Sequence, residues 1–342
     1  MRAVGAAGRG AAGRGTAAER GFAGRGAAAL VAALAVCLLT VAVFAGGCED
    51  KPLTKVTLQL NWLHEAEFAG YYVAAEKGFY KDRGLDVTIL EGGPGKPARD
   101  RVVNGEVTFS VTSFKEQRDL VKAGKPTVAV MAAFQIPPST IFALQSSKIR
   151  DPRDLIGKKV GVTTDYWRNI LRETLTNAGV DPDSVMEVKV EVNDLDKLYD
   201  GTVDAWLGYA HDEPIRAAVS GHPVTNIFPA DFGIGGYEGL VIAMRATIDS
   251  SPDMVRAFVA ASLEGWRYAI ENPAEAAQTL TAWAEGTSDV FQKASVSAVA
   301  PLVDTPQVPL GWIDPARWQQ LMGEAYDPQR PGFTMQFSPA GP

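Results

Sequence analysis

Between residues 55 and 244 the sequence alternates between strand patterns and helical patterns, and this alternation constrains the fold most strongly. The segment KVTLQL alternates apolar and polar residues, as a half-buried strand does. The next residues recur with the spacing of one helix face: Phe68, Tyr71, Tyr72, Ala75 and Phe79. Further strands are predicted at LDVTIL, VTFSV, TVAVMAAF, KKVGVT, VMEVKVE, VDAWLGY and GLVIAM, mostly with helices between them. The pattern predicts an α/β chain with largely parallel sheets, followed after Asp249 by helices alone.

Cap residues indicate where several helices begin and end. Asp151 and Asp314 are each followed by proline, which joins a capping carboxylate to the residue favoured at the first helical position. Gly179 and Gly221 stand where two of the predicted helices end.

The first 47 residues have the order of charge and hydrophobicity that export signals have. Arginines are scattered among glycine and alanine up to residue 25, an uncharged apolar run covers residues 27–45, and small residues stand directly before Cys48. We expect a lipoprotein signal peptide over residues 1–47, cleavage before an acylated Cys48, and a tether over residues 48–54. The apolar run could almost span a bilayer, so an uncleaved anchor is the alternative. Both interpretations put the rest of the chain outside the cytoplasm.

Cysteine usage and charge exclude several classes of protein. The two cysteines are Cys37, inside the apolar run, and Cys48, so a mature domain would have no internal disulfide, no cysteine nucleophile and no thiolate metal site. The three histidines, His64, His211 and His222, lack the spacings of zinc motifs. Removal of residues 1–47 takes away five of 33 basic residues and one of 40 acidic residues, which changes the formal charge from −7 to −11. Such a charge argues against nucleic acid as a partner.

A series of motifs carries a resemblance to a known family. Asn61 and Trp62 are followed by FAGYYVAAEKGFYKDRGLDV and then, in order, by GEVTFSV, AGKPTVAVMAAFQ, IRDPRDLIGKKVGV, GTVDAWLGYAHDEP and DFGIGGYEGLVIA. Over residues 56–244 the chain resembles the substrate-binding proteins of ABC importers in the thiamine-pyrimidine-precursor group. Relatives of that group include the fungal thiamine-pyrimidine synthases and the sulfonate, nitrate and taurine binders.

The resemblance implies a periplasmic-binding-protein fold of the type II kind, in which two α/β lobes and a two-strand hinge surround a ligand cleft. Residues 55–140 and 237–342 are expected to form the first lobe and residues 141–236 the second. Crossings between them are expected near residues 137–142 and 233–239, which are rich in proline and glycine. Ligands of such sheets bind beyond the carboxyl ends of the strands.

This rule selects candidate site residues from the loops that follow the predicted strands. Trp62 follows the first strand and offers a flat ring face, and Gly70 would let another chain segment or a ligand approach the backbone. Only one of Tyr71 and Tyr72 is expected to face the cleft. The family pattern implies that an acid at the position of Glu213 faces the cleft and binds an amino group and a ring nitrogen. The expected ligand-binding residues are Trp62, His64, Phe68, Tyr72, Ser113, Phe134, Gln135, Thr163, Asp165, Trp167, Tyr209, Glu213 and Tyr237.

The expected ligand is an aromatic nitrogen heterocycle, first of all a thiamine-precursor aminopyrimidine. Trp62, Phe134, Trp167 and Tyr209 supply ring faces for it. A sulfonate, nitrate, taurine or flavin-type ligand is the alternative. An anion would require an arginine, for which Arg168 is the nearest candidate.

An enzyme is a further alternative, because the fungal synthases that the chain resembles consume their own histidine and use pyridoxal phosphate and iron. Their histidine stands two residues before the glycine of the first helix, where this chain has Phe68. Their cysteine-rich stretch is matched here by VTSFKEQRDL, which contains no cysteine. We therefore expect no enzyme activity, no cofactor and no metal. The expected partners are a small ligand, the permease subunits of an ABC importer and the membrane, which a monomer would reach through its lipid anchor on the extracytoplasmic face.

The lipoprotein hypothesis predicts that Cys48 carries a lipid. Cells that express the protein and take up a radioactive fatty acid should contain labelled protein in their membranes, and Cys48→Ala should abolish the label because the acceptor thiol is lost. Labelling that survives Cys48→Ala would contradict this prediction.

Overall fold

The computed structural model describes residues 52–93, 95–284 and 286–338 of the chain. The predicted signal peptide and the predicted lipid site at Cys48 lie outside these described residues. No helix within the described ranges is both long and apolar enough to cross a membrane. The described residues form a mixed α/β structure with two five-stranded sheets, as the alternation of strand and helix patterns predicts.

Ten named strands occur in the described ranges. Their bounds are β1 Thr54–Gln59, β2 Leu85–Leu90, β3 Phe109–Thr112, β4 Thr127–Phe134, β5 Ser139–Leu144, β6 Lys159–Val162, β7 Met186–Lys189, β8 Ala205–Tyr209, β9 Val224–Ile227 and β10 Glu238–Met244. The strand order is β2-β1-β3-β10-β4 in the first sheet and β7-β6-β8-β5-β9 in the second. All eight strands predicted from periodicity are confirmed, and β5 and β9 are additional.

The helices cover both sheets and form most of the C-terminal part of the chain. Their bounds are α1 Ala69–Glu76, α2 Ala98–Val103, α3 Phe114–Lys122, α4 Asp165–Asn177, α5 Asp196–Tyr199, α6 Glu213–Val219, α7 Arg245–Ser250, α8 Pro252–Glu271, α9 Pro273–Trp283, α10 Asp289–Val303 and α11 Pro315–Met322. A short 3-10 turn, Ala66–Phe68, lies between β1 and α1. The four helices predicted after Asp249 are confirmed as α8 to α11.

The predicted caps also occur. Asp314 accepts a hydrogen bond from the backbone of Arg317 at the start of α11, and Asp151 caps a 3-10 turn in the same way. Gly179 and Gly221 follow α4 and α6 with φ values of 73° and 86°, which favour glycine.

The prediction of largely parallel sheets is wrong for half of the strand pairings. Strand β10 runs antiparallel to β3 and β4, and β5 runs antiparallel to β8 and β9, whereas the other four pairings are parallel. The reason is that β5 and β10 each follow a crossing from the other sheet. Each therefore enters its new sheet at the edge where the parallel strands end, and must run in the opposite direction.

The two crossings are held by backbone hydrogen bonds at the strand ends. The first leads from Phe134 to β5, and the backbone N–H of Ala210 donates to the carbonyl of Pro138 at 2.8 Å. The second leads from Ile227 to β10, and the N–H of Phe114 donates to the carbonyl of Tyr237 at 2.9 Å. The carboxyl ends of the parallel strands in both sheets consequently face the same region.

Two glycines allow α1 and α8 to approach closely in the core of the first sheet. A Cβ atom on Gly265 would overlap the carbonyl oxygen of Gly70, and a Cβ on Gly70 would overlap the ring of Trp266. The expectation that Gly70 admits another chain segment is thus met by α8. This contact positions α1 and, with it, the turn Ala66–Phe68.

The close helix contact predicts a large effect of a single added methyl group. Gly265→Ala should lower the free energy of unfolding by about 3 kcal/mol, because the new Cβ meets backbone rather than a movable side chain. Arg267→Ala, at an exposed position on the same helix, should change it by less than about 0.5 kcal/mol. Urea denaturation of both variants measures the difference, and equal stabilities would contradict the proposed role of the contact.

Candidate ligand-binding site

Loops at the carboxyl ends of strands from both sheets meet between the sheets. The turn Ala66–Phe68 carries Glu67, whose Oε2 lies 3.8 Å from Nε2 of His211 in the loop after β8. His211 also stacks on Phe134 at the end of β4, with 6.1 Å between the ring centroids. We call this meeting point the junction and define it by Glu65, Glu67, Phe134, Tyr209, His211, Asp212, Glu213 and Glu238.

Aromatic rings from the second sheet form one wall of the junction. Tyr209 lies almost parallel to His211, with 5.7 Å between centroids and 7° between planes. Trp167, in the first turn of α4, meets Tyr209 edge to face at 5.0 Å, and Tyr166 meets Trp167 at the same distance. The sequence-predicted residues Phe134, Trp167 and Tyr209 therefore belong to one continuous aromatic cluster.

The junction also contains five carboxyl groups. Glu67 and Asp212 are buried, and Glu65, Glu213 and Glu238 are partly buried. Burial raises the pKa of Glu238 to about 8, and the nearby carboxylates of Glu116 and Glu67 add to the rise. Burial and the neighbouring Asp212 likewise raise the pKa values of Glu67 and Glu213. Glu238 therefore holds its proton at neutral pH.

Glu213 is fixed in place by the strand that precedes it. It is the first residue of α6, as predicted, and its Oε2 accepts a hydrogen bond from the backbone N–H of Tyr209 at 2.9 Å. Its carboxyl group packs against Gly208, where a Cβ atom would overlap it. A glycine at position 208 is therefore needed for the carboxyl group to occupy this place.

Arg216 is the cation at the edge of the junction. Its Nε donates to Oδ1 of Asp212 at 2.6 Å, and its guanidinium lies 4.6 Å from the ring centroid of Phe291. The pKa values of all five junction acids are raised, and in the part of the chain that the structure describes no other cation acts to lower them. The positive charge of Arg216 is committed mainly to Asp212.

Polar atoms of two buried junction residues have no hydrogen-bonding partner among the described residues. They are both ring nitrogens of His211, which is 1% exposed, and Oε1 of Glu67, which is 8% exposed. Burial lowers the pKa of His211 to about 3, so its ring is neutral and offers one donor and one acceptor. Buried polar groups in proteins are almost always hydrogen-bonded, so these atoms are available to a bound molecule or to water.

A cavity of about 460 Å³ adjoins the junction at Glu65 and Arg216. Its lining residues are Leu63, His64, Glu65, Glu91, Arg216, Trp283, Ala284, Thr287, Phe291 and Gln292. Nδ1 of His64 lies 2.8 Å from the hydroxyl of Tyr72, and Tyr72 stacks on Trp283 at 4.8 Å. His64 therefore lines this cavity, and the buried Tyr72 lies behind His64 and Trp283, whereas Tyr71 packs against Trp266 in the core.

The other sequence-predicted residues on the side of the first sheet make contacts within the fold. Phe68 lies in the hydrophobic core at 1% exposure, and Trp62 packs against the same core. The Ser113 hydroxyl accepts from the N–H of Glu116 and caps α3. Gln135 donates to the carbonyl of Trp312. The Tyr237 hydroxyl accepts from the N–H of Asp314.

In the second sheet, Thr163 is partly buried just before α4, and Asp165 is exposed and bonded to Arg168. Arg168 also donates to Glu187 at 2.8 Å, so the arginine considered for an anion has two carboxylate partners. The neighbouring Thr164 caps α4. These residues lie at the strand exit, but none has a described contact with the junction residues.

Sequence reasoning did not include five of the junction residues among the expected ligand-binding residues: Glu65, Glu67, His211, Asp212 and Glu238. A signal for the first two was present, because two acids stand at i and i+2 in the segment between a predicted strand and a predicted helix. For Glu238 the sequence reasoning came close, because it included the neighbouring Tyr237. It selected the wrong one of the two, since successive residues of an extended chain point to opposite faces and Tyr237 and Glu238 cannot face the same region.

The two-sheet architecture with paired crossings is that of the periplasmic binding proteins. Residues 65–276 match the family model described as NMT1/THI5 like, and the chain belongs to this family. The resemblance seen in the sequence motifs is thereby confirmed.

Individual relatives include both binders and synthases. The chain is 27% identical over 311 residues to a formylaminopyrimidine-binding protein of Halalkalibacterium halodurans, covering 84% of this chain and 92% of the relative. It is 26% identical over 230 residues to the 4-amino-5-hydroxymethyl-2-methylpyrimidine phosphate synthase of Legionella pneumophila, covering 66% of this chain and 73% of the relative. The periplasmic aliphatic sulphonate binding protein SsuA of Escherichia coli shares the fold, with a TM-score of 0.60 and 16% identity over 72% of this chain and 83% of that one.

Burial of the junction acids predicts that stability falls as pH rises. The pKa of Glu238 is about 8 in the folded chain and ordinarily 4.5, so its contribution is complete below pH 4.5 and is lost as pH rises to 8. His211 acts in the opposite window, because its lowered pKa of about 3 makes its contribution disappear only as pH falls below 6.5. Melting temperatures should therefore decrease as the pH rises from 6.5 to 8. In this range the contribution of His211 is complete and the contribution of Glu238 is being lost.

Glu238→Gln should make this fall shallower, because the amide does not titrate. Glu173→Gln, at an exposed position on α4, serves as the matched control and should keep the parental slope. Identical slopes for Glu238→Gln and the parent protein would show that the Glu238 carboxyl group is not responsible.

Proposed function

We propose that the protein is an extracytoplasmic solute-binding lipoprotein of an ABC importer. Its ligand would be a small aromatic nitrogen heterocycle, with a thiamine-precursor aminopyrimidine as the first candidate. The observation that carries this proposal is the junction, where carboxyl groups from both sides and an aromatic wall on the side of the second sheet surround buried polar atoms that have no partner among the described residues.

The chemistry of the junction suits an aminopyrimidine. Such a ring offers an exocyclic amino group as donor and ring nitrogens as acceptors. A carboxylate accepts from the amino group, and a protonated carboxyl group donates to a ring nitrogen. Glu67 and Glu213 have raised pKa values and can supply both forms, while Trp167 and Tyr209 supply ring faces.

The two crossings support a mechanism of hinge closure. The ligand would contact Glu67 from the first sheet and Tyr209, His211 and Glu213 from the second, so that binding favours the conformation in which both sides touch it. The formylaminopyrimidine-binding relative, which aligns with 84% of this chain, supports the ligand class and a solute-binding role.

Anion binding and synthase activity are less well supported. The two arginines near the second sheet's strand exits, Arg168 and Arg216, are paired with carboxylates. Phe68, at the position of the synthases' consumed histidine, is packed in the core at 1% exposure. The Legionella relative nevertheless makes synthase activity the second candidate to be assayed.

A thermal-shift screen of the protein tests the ligand class. Aminopyrimidines should raise the melting temperature, with a ligand at 100 times its dissociation constant adding about 2.7 kcal/mol, whereas sulfonates and nitrate should not. A shift with anions alone would overturn the heterocycle proposal.

Glu213→Gln tests the proposed contact within this site. The amide oxygen can still accept from the N–H of Tyr209, so we expect little change in the melting temperature of the unliganded protein. Binding of an aminopyrimidine should weaken by about 1.5–3 kcal/mol because a charge-assisted hydrogen bond is lost. Calorimetry measures both quantities, and a variant that binds as tightly as the parent would show that Glu213 is no ligand contact.

A further inference from the structure

We propose that the junction discriminates by charge: it accepts a heterocycle that presents a cationic or N–H-donating face and rejects the phosphate ester of the same ring. This inference rests on the proposed solute-binding function and adds the charge state of the ligand to it. It separates the protein from relatives whose names specify anionic ligands or phosphorylated products.

The charges around the junction are strongly one-sided. Glu65 and Glu67 lie at and in the 3-10 turn after β1, Asp212 and Glu213 lie at the start of α6 after β8, and Glu238 is the first residue of β10. The other titratable groups that interact with these acids from neighbouring elements are Tyr71, Tyr72, Glu116, Tyr166, Tyr209, His211 and Arg216. Of these only Arg216 is a cation, and its Nε is 2.6 Å from Asp212.

A second observation, independent of the acids, marks the junction as a place for a ligand. The ring of His211 is buried at 1% exposure between Phe134 and Tyr209, yet neither nitrogen has a partner among the described residues. Oε1 of Glu67, which is 8% exposed, also has no partner among the described residues. Neutral His211 offers one acceptor and one N–H donor, and a Glu67 carboxylate oxygen offers a further acceptor, at a fixed position between the two sheets.

The junction acids already repel one another, which is the physical reason for rejecting an anion. Burial and neighbouring carboxylates keep the pKa of Glu238 at about 8, so the site does not hold all of its own negative charges at neutral pH. A phosphate group would add up to two more charges among them. A bound cation would instead lower the pKa values of the acids and cause the release of protons.

The decisive experiment compares ligands that share a ring and differ in charge. The probes are 4-amino-5-hydroxymethyl-2-methylpyrimidine and its phosphate monoester, and thiamine and its pyrophosphate ester, titrated into the full-length protein by calorimetry at pH 7. In each pair the phosphate ester should bind at least about tenfold more weakly, because like charges at a desolvated site repel. Thiamine, a permanent cation, should release protons on binding, seen as a dependence of the heat on buffer ionisation enthalpy.

Variants show whether the acids cause the discrimination. Glu67→Gln should reduce the ratio of dissociation constants between the ester and the parent heterocycle, whereas a merely structural role would weaken both ligands equally. The exposed Glu173→Gln should leave the ratio unchanged. If Glu67→Gln folds poorly, the same ratio is measured for Glu238→Gln at a pH above the pKa of about 8 of Glu238, where the parent carboxyl group is ionised and the amide is not.

The outcomes separate this inference from the proposed function. Equal or tighter binding of an ester would overturn the charge discrimination while leaving solute binding intact. Binding of thiamine alone, with rejection of its ester, would support the discrimination and move the ligand away from the simple aminopyrimidine. Failure of all four probes to bind would overturn the inference together with the proposed heterocycle ligand.

Discussion

The structure depends on the two places where the chain crosses between its sheets. At each crossing a backbone hydrogen bond ties the crossing segment to a strand exit: Ala210 to Pro138, and Phe114 to Tyr237. Because the crossings enter at the carboxyl ends of the parallel strands, β5 and β10 must run antiparallel to their neighbours. The same geometry directs the loops after β1 and β8 towards each other, and the junction follows from that arrangement.

Charge at the junction links the fold to its proposed role. Carboxyl groups that lie apart in the sequence are brought together where burial makes ionisation unfavourable, and neutral His211 adds polar atoms that have no described partner. Such a group of residues stabilises the chain poorly when left alone, because each buried polar group without a partner costs about 1–3 kcal/mol. A ligand that satisfies these groups would therefore favour contact between the two sides of the site more strongly than packing alone.

Local patterns in the sequence were sufficient for most of the fold. Eight strands and the C-terminal helices follow from periodicity and caps, which are properties of short segments. Strand β9 could not be predicted, because Val224–Ile227 is short and half polar, and β5 was concealed by the two prolines before it. The acids of the junction were harder still, because the pairing of Glu67 with His211 depends on contacts between distant parts of the chain. At the second crossing the start of β10 was identified through Tyr237, but the face was not: Tyr237 stacks on Trp318, and Glu238 lies at the junction.

Gly208 determines where the Glu213 carboxyl group can lie. The carboxyl group of Glu213 rests where a side chain at position 208 would otherwise be, although Gly208 itself belongs to a buried strand and has no side chain to offer a ligand. Replacing this glycine by alanine would displace the Glu213 carboxyl group without changing any residue of the proposed site. With Glu213 as a ligand contact, as proposed, ligand preference can change during evolution through a position that comparisons of contact residues alone would overlook.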